Sequence, residues 1–426
     1  MKAPQVSFHI SGRMLSALLF IPLLGADCSV DTMKGYYNLH LFRPGRSLER
    51  QIFLIGLRNQ FIGGDHVDVP LCQGKAYAWE LLGQIAESTP PNGTDWSRWN
   101  WQEPGTPQAS HFSEGIVEYD KQTDTKTSLD FETFEMIHLN PTAAQHAIRR
   151  MMATKVRKRA NDLGWRTFEE FPPNSSEVKT IWRRIPKNGC IALGVWDDLN
   201  GSTMPGIYSD DKWKRHVLVY DSPQGSAGGA CDQAASPTVG SDPRIRAQDQ
   251  FVWMRVSATT LTDRFKDPAD PTHTNKPAVN NLLILVGMHI ARKDVPDWAW
   301  VTTWWKSKDM DPSPQEVVGR DQVFPTSSVW SNYILNYALS FQFPCLGPGC
   351  AQDHRTFVYN PYLEAANLPN GTSSNCIACH AKARYVQKGD AGGDYFRVPS
   401  PFGSDLMLFR FEGTTMTDYS WTAGNK

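Results

Sequence analysis

Short runs of branched and aromatic residues, separated by Gly, Pro, Asn and Asp, dominate the chain from Glu177 onward. Glu177 to Arg183, Cys190 to Trp196, His216 to Tyr220, Phe251 to Ala258, Asn281 to Ile290, Asp297 to Trp305 and Leu406 to Phe411 each read as strands. The earlier part has helical spacing instead. Ser47 to Phe61, stopped by Gly63 and Gly64, and Lys75 to Ile85 predict helices. The clearest helix runs from Pro141 to Leu163: Asn140 caps it, Pro141 suits its first position and Gly164 ends it. Ala144, Ala147, Ile148, Met151, Met152, Val156, Ala160 and Leu163 form its apolar stripe. The stretch from Ser222 to Arg244, rich in Gly, Ser, Ala and Pro, reads as a long loop pinned by Cys231. The expected class is α+β: a largely antiparallel β body with N-terminal helices and a C-terminal segment of different character.

Alternation within two strands singles out side chains. In the segment from Trp298 to Trp305, Trp298, Trp300 and Trp304 fall on one face with Thr302 between them. Such a stripe is ordinarily packed core. Its functional alternatives are the wall of a cofactor pocket, an electron-relay path, or a stacking platform for a sugar or aromatic ligand. Glu177 and Lys179 alternate with Val178, which puts both on one side of a strand and Trp182 on the other. A salt bridge is the ordinary reading of that pair, and an acid/base couple the sharper one.

Near the C-terminus stands Cys376-Ile-Ala-Cys379-His380. Two thiols at this spacing can add to the vinyl groups of haem, and the adjoining imidazole then ligates the iron. A zinc site would need a second cysteine pair of this kind, and the chain has none. A thioredoxin-like dithiol calls for a preceding strand, whereas Leu368 to Ser374 reads as a polar turn. The motif therefore predicts one covalently attached haem c, bound through Cys376, Cys379 and His380, with His380 as the proximal iron ligand. For the distal side the candidates are Met407, His289 and, more weakly, His354. Met407 lies in an apolar run that otherwise reads as core, and His289 ends the most apolar strand beside the Trp stripe.

Composition adds the compartment. Lys2 and Arg13 precede an apolar run, Met14 to Leu24, suited to a secretory signal and too short to span a bilayer. Cleavage is expected after Ala26, giving a periplasmic or secreted protein without a transmembrane segment in the mature chain. Cys28 invites a lipoprotein reading, but Asp27 stands where a lipobox wants a small residue. Six of the 8 cysteines lie outside the haem motif, an even set suited to disulfides in an oxidising compartment, with Cys345 and Cys350 the nearest pair. A formal charge of −1 argues against a nucleic-acid partner. Arg149, Arg150, Lys155, Arg157, Lys158 and Arg159 load the long helix with positive charge, ordinarily a solvated face, alternatively a docking patch for an acidic redox partner protein.

The CxxCH motif and its immediate flanks resemble the c-type cytochromes. The chain as a whole looks like larger exported proteins that carry one haem c near the C-terminus, on Ser176 to Trp182, Met288-His289-Ile290 with the Trp stripe, and Ser374 to His380. That resemblance implies a cofactor and no particular activity. The expected organisation is a signal peptide at 1–26, a mixed body at 27–340 and a haem-binding segment at 341–426. One-electron transfer is the leading function expected. A haem enzyme acting on peroxide, a nitrogen oxide or a small organic substrate at an open distal site is the second, and a Trp-rich ligand-binding module with structural or sensory haem the third.

Overall fold

A computed structural model describes residues 69–89, 92–93, 113–118, 133–146, 166–167, 170–196, 213, 215–226, 231, 243–257, 279–294, 298–307, 317, 319–338, 358–365, 376, 380, 384–385 and 415–416. Their fold is α+β with a mostly antiparallel sheet body, as the residue patterns predict.

The strands are β1 (Ser113–Glu118), β2 (Thr133–Leu139), β3 (Arg166–Thr167), β4 (Ser176–Ile185), β5 (Cys190–Val195), β6 (Arg215–Tyr220), β7 (Arg244–Arg246), β8 (Trp253–Arg255), β9 (Leu282–Arg292), β10 (Ala299–Trp305), β11 (Tyr333–Ala338), β12 (Arg384–Tyr385) and β13 (Thr415–Met416). The central sheet runs β1-β2-β4-β9-β10-β11, every pair antiparallel, and β8 adds to β9 at Leu282 to Ile284. A small sheet, β5-β6-β7, carries the Cys190–Cys231 disulfide, so Cys231 does pin the segment that follows β6. A third sheet joins β12, β13 and β3.

Expected strands match in position, with two differences among the described residues. Phe251 to Ala258 contributes only Trp253–Arg255 as strand, because the helical turn Ala247–Gln250 ends on Phe251. β1, β2, β3, β7, β11, β12 and β13 were not expected: β2 leads straight into the Asn140 cap, β11 follows the 3-10 turn Val329–Asn332, and β3, β7, β12 and β13 are only two or three residues long. The helix at Lys75 to Ile85 is longer, α1 (Val69–Ser88). Of the helix expected at 141–163, residues 141–146 are helical and capped by Asn140, whose Oδ1 accepts from Ala143 N at 2.9 Å; the remainder lies outside the described residues. The segments Ser47 to Phe61 and Leu406 to Phe411 and the Cys345/Cys350 pair also lie outside them.

Register assigns the two faces of the central sheet, since alternate residues point to opposite sides. Val178, Thr180, Met288, Ile290, Val301, Thr303, Trp305, Tyr333, Leu335 and Tyr337 share one face, with none more than 6% exposed. α1 lies against β11 there, and it comes close because Gly74 has no Cβ: one would stand 2.3 Å from the Tyr337 ring. Trp305 stacks on Phe251 at 4.3 Å and donates from Nε1 to Gln250 O. The Tyr333 hydroxyl donates to Leu285 O at 2.8 Å and accepts from Val252 N at 3.1 Å. This is an apolar core in which the few polar atoms are satisfied.

Candidate functional site

The opposite face is chemically mixed. Cross-strand register lines up Lys179 on β4, His289 on β9, Thr302 on β10 and Asn336 on β11 in one row. The neighbouring row toward the β4 start holds Glu177, Ala291, Trp300 and Ala338. The row on the other side holds Ile181, Gly287, Trp304 and Ile334. Glu177 and Lys179 thus share the side that carries His289, and Val178 and Trp182 are turned away, as alternation predicts.

At the Trp300 end a separate apolar cluster forms from Leu139, Ala143, Ala144, Phe171, Ala291, Trp298, Trp300, Ala338, Val358 and Cys376. It joins the first cysteine of the CxxCH motif to two members of the Trp stripe. Cys376 is buried and outside any disulfide, and its Sγ donates to Val358 O at 3.5 Å. The His380 ring is half-buried and packs on Trp300 with centroids 4.2 Å apart. The backbone is helical at Cys376 and at His380. Trp298 precedes β10 with φ at 62°, a left-handed conformation rare for a bulky residue, and its ring lies 6.2 Å from Trp300. Trp298, Trp300 and Trp304 are all buried, so they present no open ring face to a sugar.

In the middle row, His289 Nε2 lies 3.0 Å from Glu364 Oε1, each side chain 16% exposed. Glu364 comes from the π-helical turn Pro361–Ala365, and its other oxygen accepts from the Asn360 backbone N–H. Burial alone would push the Glu364 carboxyl up. The His289 charge and hydrogen bond, the Asn360 N–H and Lys179 outweigh it and hold the group below its ordinary value. The pair is therefore an imidazole fixed by an ionised carboxylate with a lysine beside it.

At the Gly287 end the face is sealed. Asn360 is fully buried and donates from Nδ2 to Thr302 Oγ1 at 3.1 Å and to Thr303 O at 2.9 Å, while its Oδ1 accepts from Tyr362 N. It fits because residue 287 is glycine; a Cβ there would stand 2.6 Å from Asn360 Nδ2. Tyr362 donates to Gly194 O at 2.8 Å and packs on Trp213, and Tyr359 meets Trp196. The 358–364 segment is thereby clamped between the central sheet and β5. Arg255 on β8 ties the two sheets again, its guanidinium 2.8 Å from Asp221 at the end of β6.

Of the residues expected from sequence, Cys376, His380, His289, Trp300, Lys179 and Glu177 share this face; Cys379, Met407 and His354 lie outside the described residues. Glu364, Asn360 and Phe171 were not anticipated. The Asn360-Pro361 step is a turn signal, but nothing in spacing links it to a strand some 70 residues earlier. Among the described residues, no group of three or more His, Cys, Asp or Glu could hold a metal ion, and no helix is long and apolar enough to cross a membrane. No protein-family model, curated protein or solved structure matches the chain.

Proposed function

We propose that the protein is an exported single-haem c-type cytochrome whose function is one-electron transfer. The observation that carries this is the meeting of Cys376 and His380 with Trp298 and Trp300 in one cluster on the sheet face. The residues fit the group the motif implies: Cys376 is buried and outside any disulfide, in a chain that does bridge Cys190 to Cys231, and the imidazole four residues on is packed against a ring. Haem held there by Cys376, Cys379 and His380 supplies a one-electron iron couple. Trp300 orients the His380 ring, and the apolar cluster around Cys376 keeps water from the attachment side. The disulfide suits an oxidising compartment, which is also where covalent haem attachment takes place.

A second reading has its own support. The His289–Glu364 ion pair, with Lys179 in the same row, sits on the same sheet face as Trp300 and puts an imidazole in contact with a carboxylate. That favours a haem enzyme in which His289 handles protons at an open distal site, rather than serving as the distal ligand alternative to Met407.

The deciding experiment is the visible spectrum of the reduced protein, produced in a host with a periplasmic haem-attachment system, before and after carbon monoxide. A sharp low-spin spectrum unmoved by the gas supports electron transfer. A high-spin spectrum that shifts supports the enzyme reading, and absence of haem from the wild-type protein overturns both.

A further inference from the structure

We propose that Trp300, Trp298, Phe171 and His146 form the route by which an electron passes between the His380 site and the protein surface. The proposal rests on the haem reading above and adds the path and the place where a partner docks. The rings follow one another without a break: His380 to Trp300 at 4.2 Å, Trp300 to Trp298 at 6.2 Å, Trp298 to Phe171 at 5.3 Å and Phe171 to His146 at 4.8 Å between centroids. A chain of packed π systems couples two points better than saturated side chains of the same length, because the conjugated rings lower the barrier to electron tunnelling.

Trp298 is the residue that packing alone explains least. It holds a left-handed backbone conformation that strains a bulky side chain, and its Nε1 is buried with no hydrogen-bond partner among the described residues. Both features cost stability, and such costs collect where a side chain is held for function. What they achieve here is placement of an indole between Trp300 and Phe171. The Lys293 ammonium stands 5.9 Å over that indole. A cation there makes the ring harder to oxidise, so the chain acts as a bridge and not as a resting place for a radical.

The route surfaces beside Phe171, whose neighbours Glu170 and Pro173 are exposed, and beside Gln145, exposed next to His146. In sequence the basic residues Arg149, Arg150 and Lys155 follow directly. The partner this favours is a protein one-electron carrier with an acidic face. One electron crosses, the carrier is oxidised as the haem protein is reduced or the reverse, and no bond is made or broken. A second aromatic group, Trp196, Trp213, Tyr359 and Tyr362, has no ring contact with His380 or Trp300 among the described residues, and it serves as the control.

The test is flash photolysis of the haem-loaded full chain carrying a thiol-linked ruthenium photosensitiser at Gln145→Cys or, for comparison, at Asp249→Cys, which lies on the small-sheet side with an exposed side chain. Labelling is mapped by mass spectrometry, and the reduction potential is measured in parallel. Expected is faster transfer from position 145, slowed about tenfold or more by Trp298→Leu and by Phe171→Leu, and restored by Trp298→Phe, with the potential unmoved. Equal rates from the two labels, or a rate at 145 indifferent to both leucine variants, overturns the path and leaves the haem assignment standing. A chain without haem overturns path and assignment together.

Discussion

The two faces of the central sheet are built from the same strands and differ in almost every other respect. The face toward α1 is a continuous apolar layer in which Tyr333 and Trp305 have their polar atoms satisfied. The other face carries a lysine, a histidine, a threonine and an asparagine in one row, a strained tryptophan at one end and a sealed asparagine at the other. A protein maximising stability would not leave a buried indole N–H without a partner among the described residues, and a partly exposed ion pair, on a surface it has the residues to fill with Val and Leu. The difference makes the mixed face the candidate for function and the apolar face the main source of stability.

The contrast is tested most severely by matched tryptophans. Trp305→Ala removes a fully buried ring from the apolar face and is expected to cost about 3–5 kcal/mol in urea unfolding. Trp300→Leu on the mixed face is expected to cost about 1–2 kcal/mol and, on the proposed haem reading, to change the haem spectrum, because the His380 ring loses its support. If the two costs are equal and the spectrum is unaltered, the division of labour between the faces fails. Next in size is Gly287→Ala, whose new Cβ collides with Asn360; about 1–3 kcal/mol should be lost and the 358–364 segment should become accessible to protease.

The strands behind the apolar face were legible in sequence, because alternation in β4 and β10 and the apolar run of β9 need only local information. The mixed face was legible in fragments. Alternation put Glu177 with Lys179 and Trp300 with Thr302, and the CxxCH spacing marked Cys376 and His380. What local pattern does not carry is register between strands: Lys179, His289 and Thr302 come from three segments and meet only through pairing. Glu364 was invisible for the same reason, since its partner His289 lies far back in the chain and a carboxylate in a turn has no distinctive neighbours. Trp298 shows a third limit. Nothing in its residue type calls for the left-handed backbone that sets its ring between Phe171 and Trp300.

Between the sheets, Asp221 gives a pH-dependent test of the structural side of the contrast. Burial would raise its carboxyl, but hydrogen bonds and charge from Arg255, the Asn188 N–H and Gln248 together hold it below its ordinary value of 3.8. An acid whose folded value is depressed stabilises the fold fully above its unfolded value, and the contribution is lost as pH falls through the folded value. Asp221→Asn is therefore expected to cost about 2 kcal/mol at neutral pH, with the variant and wild-type stabilities converging as pH falls below 3.8. Convergence on the alkaline side instead would mean that the Arg255 contact is not what holds the small sheet to β8.

The smallest stability effect belongs to Glu364→Gln, and it separates the two readings of the mixed face most finely. The amide keeps an oxygen for the Asn360 N–H and nearly the same shape, but gives up the charge that faces His289 and Lys179. A loss of about 1 kcal/mol is expected, since the ion pair is partly exposed and its desolvation offsets much of its attraction. If His289 works as an acid or base beside the haem, turnover with peroxide or a nitrogen oxide should fall far more than that stability change explains. If the protein only carries electrons, the rate of exchange with its partner should be untouched by this variant and should respond to Trp298 instead.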